Sequence, residues 1–205
     1  MKKIILSIFL LILFPFSVSA GSGPLGIDHR ISRSDTGIWS RNNQLFLEYS
    51  SMLVDVGGSL WFGSDSRMGK TFWQSTDSMA ITALSSVVGK ETFRRERPNH
   101  SNDPNAWFQS STDRSFPSGE VAHITSVITP FIVEYHNENP YVWSLTALPI
   151  YDGIARMKSQ AHWQTDVLAG AALGATAGVL SSSRETPLSV LILPHSVTVG
   201  LHKIF

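Results

Sequence analysis

The chain has 205 residues, with 16 Lys+Arg against 16 Asp+Glu and no cysteine. That balance supplies no polybasic face, which argues against nucleic acid as a partner. The lack of thiols excludes disulfide staples, thiolate catalysis and the common zinc sites. The length is enough for one domain to be held by its core alone.

Met1 to Ala20 reads as a secretory signal. Lys2 and Lys3 form the basic start, Ile4 to Phe16 is apolar except for Ser7, and Val18-Ser19-Ala20 offers small residues for cleavage. Removing it takes away two lysines (16 − 2 = 14 basic, 16 acidic), so residues 21–205 carry a formal charge of −2. The expected location is periplasmic or secreted, with a peripheral contact to the outer membrane left open.

Gly21 to Ser40 is rich in Gly, Ser and polar residues and is expected to wrap the surface as an arm. Asn42 to Val56 predicts a helix packing through Leu45, Tyr49, Met52 and Val56, stopped by Gly57-Gly58 and followed by an aromatic cluster, Leu60 to Phe62. An aromatic stretch of this kind is more often core than ligand wall. A second helix is expected from about Thr71 to Arg95, with Lys90 near its end and Asp77 or Ser78 as an internal cap. Pro98 to Phe116 reads as a loop. A third helix starts near Ser118 and runs to about His136 with a kink at Pro130. A fourth covers Tyr141 to Lys158 with a kink at Pro149. The fifth begins at Thr165 or Asp166, either of which can cap it, and its Gly and Ala residues permit close helix packing. None of these segments has the run of about twenty apolar residues that a membrane span needs. Leu188 to Leu193 and Val197 to Leu201 read as two strands around Pro194-His195-Ser196, a hairpin packed on the domain.

Three stretches carry chemistry. Lys90 is followed after six residues by Arg97-Pro98. Pro117-Ser118-Gly119-Glu120 opens a helix whose first N–H groups can bind an anion. Arg156 is followed after five residues by His162 and after three more by Asp166. Lys90, Arg97 and Arg156 offer three positive charges, Ser118 and Gly119 a hydroxyl and N–H donors, His162 an imidazole, and Asp166 a carboxylate to hold it. Arg94 and Arg95 read as ordinary solvated residues of a helix end.

In order and spacing these stretches resemble the type 2 phosphatidic acid phosphatase and vanadium haloperoxidase superfamily. Lys90 to Pro98 matches the first motif in full. The second motif is matched by Pro117, Ser118 and Gly119, with Glu120 where the family has His. The third is matched by Arg156, His162 and Asp166, with Ala155 where Ser is usual. The resemblance implies an all-α, single-domain helical bundle of the superfamily's soluble, exported kind, here with a C-terminal β-hairpin (21–40 arm, 187–205 hairpin).

It also implies a metal-independent phosphatase in the bacterial envelope. Lys90, Arg97, Ser118, Gly119 and Arg156 would hold the phosphate of a lipid phosphate, a prenyl diphosphate or a small monoester. His162 would form a phosphohistidine, with Asp166 fixing its tautomer. For the acid that protonates the leaving group, three options stand. Glu120 could act when protonated, His123 one helical turn on could replace it, or Glu120 could only pair with an arginine. No cofactor is expected, vanadate being an inhibitor. In a haloperoxidase reading vanadate would instead be the cofactor on His162, and in a third reading the chain is a non-catalytic anion-binding envelope protein. Glu120-Val121-Ala122-His123 also forms a Glu-x-x-His, but a di-iron bundle needs two copies and only one is present.

Overall fold

The computed structural model describes residues 23–63, 65–109 and 114–186 in full, and the backbone of 188–193 and 196–201. The expected signal at 1–20 lies outside the described residues, as does the turn at 194–195. Five α-helices follow one another: α1 (Arg41–Phe62), α2 (Arg67–Phe93), α3 (Gly119–Tyr135), α4 (Ala147–Lys158) and α5 (Gln164–Ser182). Short 3-10 turns cover Gly37–Trp39 and Pro140–Thr146. The hairpin strands β1 (Leu188–Leu193) and β2 (Ser196–Leu201) pair antiparallel with Leu188 opposite Leu201. The chain is helical with a terminal hairpin, as the sequence implies.

The most extensive helix contact is α3 against α5, and glycine makes it. A Cβ on Gly170 would stand 2.4 Å from the Ser118 carbonyl oxygen, and one on Gly174 2.2 Å from that of Ala122. Any side chain there would force the helices apart. That closeness brings the start of α3, with Ser118 and Glu120, onto the start of α5, with Asp166. The Ser118 N–H donates to the Asp166 carbonyl at 3.0 Å.

Several boundaries differ from expectation. Helix α1 passes through Gly57-Gly58 and ends at Gly63, whose φ of 62° terminates it. Gly58 is there for a neighbour: a Cβ would meet the Phe72 ring at 2.4 Å. Helix α2 starts at Arg67 under a Ser66 cap whose side chain accepts from the Gly69 N–H at 3.0 Å, so Asp77 and Ser78 are buried mid-helix residues and not caps. It stops at Arg94, in the left-handed region. Pro130 is accommodated within α3. Pro149 sits in the first turn of α4, where a missing N–H costs nothing.

The polarity of α1 and α2 is also reversed. The expected packing stripe of α1 is not its buried face: Gln44 and Asp55 are buried, whereas Tyr49 and Met52 are exposed and Leu45 and Val56 half-buried. The aromatic cluster is outside too, Leu60 82% and Trp61 85% exposed. Helix α2 buries Thr71, Gln74, Ser75, Asp77, Ser78, Thr82 and Ser86 while exposing Leu84, Val87 and Val88.

Candidate active site

The last turn of α2 puts Lys90 against the loop before α3. Its Nζ donates to the carbonyls of Pro117 at 3.0 Å and Arg114 at 3.2 Å. Gly89 permits this approach, since a Cβ there would stand 2.7 Å from Pro117. Arg97 reaches from the loop after α2 to the turn that carries His162: its NH1 donates to the Ala161 carbonyl at 3.0 Å and lies 3.4 Å from His162 Nε2. The turn itself is held by the Arg156 carbonyl, which accepts the N–H groups of Ala161 at 3.0 Å and His162 at 3.3 Å. The third motif's spacing thus becomes one tight turn after α4.

His162 is 3% exposed. Burial pushes its imidazole well below the ordinary range, and the charges of Arg156, Arg97 and Lys90 add to that; the Ser115 carbonyl works the other way. The ring is therefore neutral near pH 7, as a nucleophile requires. All three predicted cations act on it. Lys90 is itself brought down to about 8, by burial first and then by Arg97, partly offset by Asp166. Ser118 is fully buried, and its Oγ has no hydrogen-bond partner. With Gly119 it stands at the N-terminus of α3, where an anion is favoured.

Asp166 is fully buried at the third position of α5. Its Oδ2 accepts the Trp163 N–H at 2.8 Å, capping the helix, and faces His162 Nδ1 at 3.7 Å, beyond hydrogen-bond length. One oxygen therefore serves both the cap and the histidine. The other, Oδ1, accepts from Arg95 at 2.7 Å.

Arg95 corrects the expectation of a solvated helix end. It is 0% exposed, and its five N–H donors are all used. Nε and NH2 donate to the Pro104 carbonyl, NH1 to Thr165 Oγ1 and Asp166 Oδ1, and NH2 also to Asp28 Oδ2 at 2.6 Å. Its guanidinium lies 4.4 Å from the Trp107 ring centroid. Asp28 belongs to the arm at 23–40, so the arm does more than wrap: it sends one buried carboxylate inward. The position of Arg95 between Lys90 and Arg97 hints at its importance. Nothing near Asp28 in sequence does so.

Glu120 is held by two arginines. Its Oε2 accepts from Arg41 NH1 at 2.5 Å, and its Oε1 lies 3.4 Å from Arg156 NH1. Gln44 Oε1 accepts from Arg156 at 3.1 Å and Arg41 at 3.3 Å, completing a polar cluster supplied by α1. His123 turns toward α1, its Nε2 3.2 Å from Ser51 Oγ, and burial lowers its pKa. Ser51 Oγ already donates to the Glu48 carbonyl at 2.8 Å, so it accepts from His123. Glu120 and His123 thus face different partners, which removes them as a ligand pair. Among the described residues no group of three His, Cys, Asp or Glu is arranged to hold a metal.

The sequence reading also missed Asp152, one turn before Arg156 on α4. It is fully buried, and neither carboxyl oxygen has a hydrogen bond. Burial raises its pKa to about 7, and the charge of Glu120 adds to this while Arg156 opposes it.

Beneath the site the same helices enclose an apolar groove of about 520 Å³. Val121, Gly153 and Val167, beside or one turn from Glu120, Arg156 and Asp166, form one end. Ile132, Trp143 and Val179 line it farther on.

Comparison with known families decides the kinship. The model of the PAP2 superfamily matches residues 72–186, more than half of the chain. The chain belongs to the PAP2 superfamily. The resemblance carried by the three motifs is borne out, and all three lie inside the matched region. Asp28, Arg41 and Gln44 lie outside it. A lipid A 1-phosphatase of Porphyromonas gingivalis is 30% identical over 129 residues, which is 62% of this chain and 26% of that protein. The chain thus spans about a quarter of the length of this relative. Among solved structures, a transmembrane PAP2-type phosphatidylglycerolphosphate phosphatase of Bacillus subtilis matches with a TM-score of 0.51 at 19% identity, covering 71% of this chain and 76% of that one. LpxE of Aquifex aeolicus matches with a TM-score of 0.46 at 22% identity, covering 69% and 86%. The Bacillus structure shares the PAP2 helical architecture. Among the described residues of this PAP2 chain, no helix is long and apolar enough to cross a membrane.

Proposed function

We propose that this PAP2 protein hydrolyses lipid phosphates without a metal ion, through a phosphohistidine on His162. The observation that carries the reading is the neutral, buried imidazole set among Lys90, Arg97 and Arg156. His162 Nε2 attacks phosphorus and the bond to the leaving oxygen breaks. The three cations, with Ser118 and the N-terminus of α3, take the charge that develops on the equatorial oxygens. Asp166 faces Nδ1 and stabilises the positive charge on the ring. Water then attacks phosphorus, the phosphorus–nitrogen bond breaks, the water's proton passes to the carboxylate that protonated the leaving oxygen, and phosphate leaves. We assign the proton for the leaving oxygen to Glu120, a role that requires the substrate phosphate to draw Arg156 and Arg41 from it and the freed carboxylate to take up a proton before transfer.

A lipid substrate is supported by the apolar groove beneath the site and by the apolar outer face of α1 and α2, and it agrees with the P. gingivalis relative being a lipid A 1-phosphatase and the B. subtilis one a phosphatidylglycerolphosphate phosphatase. We place the site in the bacterial envelope, on the basic and apolar start of the chain.

The test is phosphate release with chelator present, from a long-chain phosphatidate in mixed micelles and from a soluble aryl phosphate. The wild type turns over the lipid faster, and His162→Asn abolishes both activities. Wild-type turnover by His162→Asn would remove His162 as nucleophile. Binding of phosphate without turnover of any ester would favour the non-catalytic reading, which the double arginine grip on Glu120 supports.

A further inference from the structure

We propose that Asp28 is a positioning residue for His162: through Arg95 it sets both the orientation and the net charge of the carboxylate that the imidazole meets. The proposal rests on His162 being the nucleophile, and it concerns an arm outside the PAP2-matched region.

Asp28, Arg95 and Asp166 form a continuous row in which every member is at most 1% exposed. Asp28 Oδ2 accepts from Arg95 NH2 at 2.6 Å, and Arg95 NH1 donates to Asp166 Oδ1 at 2.7 Å. Thr165 cross-links the row. Its Oγ1 accepts from Arg95 at 2.7 Å and donates to Asp28 Oδ2 at 2.6 Å, and its backbone N–H donates to Asp28 Oδ1 at 2.8 Å. Asp28 therefore caps α5 from outside, beside the cap that Asp166 makes from within. The arm is pinned around this point. Gln164 Nε2 donates to the His29 carbonyl at 2.9 Å, Gln160 Nε2 to the Ile31 carbonyl at 3.0 Å, and the Ser34 N–H to the Lys158 carbonyl at 3.0 Å. These partners bracket His162 on both sides in sequence.

Charge gives the row its purpose. An Arg95–Asp166 pair alone would be neutral and would offer little to a ring that becomes positive as it attacks phosphorus. The second carboxylate, Asp28, leaves one negative charge on the row. In a dry interior that charge is weakly screened. A second consequence is geometric. With Asp28 drawing on NH2, the Arg95 fork is held in one plane, so Asp166 Oδ1 has one place to go and Oδ2 stays turned toward Nδ1.

The experiment compares wild type with Asp28→Asn, with Asp35→Asn on the same arm as a control that removes a surface charge. Asp28→Asn is expected to lower kcat about tenfold, the equivalent of about 1.4 kcal/mol. Its KM and its affinity for inorganic phosphate stay within about twofold, because the phosphate cradle is untouched. The His162 ring resonances in 15N NMR shift in Asp28→Asn and not in Asp35→Asn. The spectrum reads the coupling whether or not the protein turns over, so an inactive wild type would sink the phosphatase reading and leave this one to the NMR result. Thr165→Val removes only the hydroxyl in the row and is expected to show the same signature at smaller size. It decides the matter if Asp28→Asn does not fold. Unchanged kcat together with unchanged ring resonances in a folded variant, or equal losses in KM and phosphate affinity, would overturn the proposal.

Discussion

Helices α3 and α5 meet closely through glycines and small side chains, whereas α1 and α2 turn polar side chains inward and large apolar ones outward. In the first pair, glycines at 170, 174 and 178 meet Ser118 at the cap of α3 and Ala122 and Thr129 within it, each within 2.4 Å of where a Cβ would be, and Val121, Ile124 and Ala177 are buried. In the second pair the interior holds Gln44, Asp55, Gln74, Ser75 and Asp77, and the exterior holds Phe46, Leu53, Leu60, Trp61 and Val88. The difference follows from what each pair faces. The interior of α1 and α2 must offer polar groups, Gln44 to Arg156 and Asp55 to Thr76, while Arg41 reaches Glu120 from the exposed start of α1. Their exterior carries large apolar side chains along both helices. We propose that lipid lies against it.

The contrast can be broken most severely from the inside. Arg95→Met removes a fully buried guanidinium from between two carboxylates, leaving their charges uncompensated. The expected loss is about 3–5 kcal/mol, read as a fall in the urea midpoint. Next comes Arg156→Gln, which takes one cation from the developing phosphoryl charge and lets go of Glu120. It is expected to lower kcat about 100-fold or more in the micellar phosphatidate assay.

Asp152→Asn works in the opposite direction. The folded-state pKa of about 7 lies above the ordinary value of 3.8, so the folded protein holds a proton there that the unfolded chain has lost. Stability therefore falls as pH rises through that window and stays low above it. The neutral amide escapes this penalty. The variant is expected to be more stable than wild type by about 2 kcal/mol at pH 8, with the difference shrinking toward pH 4 in denaturant titrations.

The smallest effect on stability belongs to the outer face. Trp61→Ser changes a side chain that is 85% exposed and should stay within about 0.5 kcal/mol of wild type. Turnover of phosphatidate in vesicles falls all the same, and turnover of a soluble aryl phosphate does not. A loss of stability as large as that of Arg95→Met would show that this face is covered by protein.

The same inversion explains what could be read from the chain alone. Lys90, Arg97, Ser118, Arg156, His162 and Asp166 stand at motif spacings, and each motif becomes one local object: a helix end, a helix start, a single turn. Their convergence was legible for that reason. Asp28 and Arg95 are 67 positions apart and Gln44 and Arg156 are 112 apart. A polar residue that is buried only because a distant partner satisfies it has no local signature. The apolar periodicity of α1 was real, but periodicity identifies a face without saying what it faces. The rule that apolar means inside then placed Tyr49 and Met52 in the core. Glu120 was legible as a departure from the family and as a partner for an arginine; that Arg41 is one of its partners was not, because Arg41 comes from a helix outside the matched region.

The central claim is that phosphate is transferred to His162. The most direct measurement is rapid acid-free quenching of the protein during turnover of a phosphatidate labelled with 32P, with chelator present, followed by alkaline peptide mapping. An alkali-stable, acid-labile label on the peptide carrying His162, absent from His162→Asn, is the predicted result. Label on another residue, or undiminished phosphate release from His162→Asn, would contradict it.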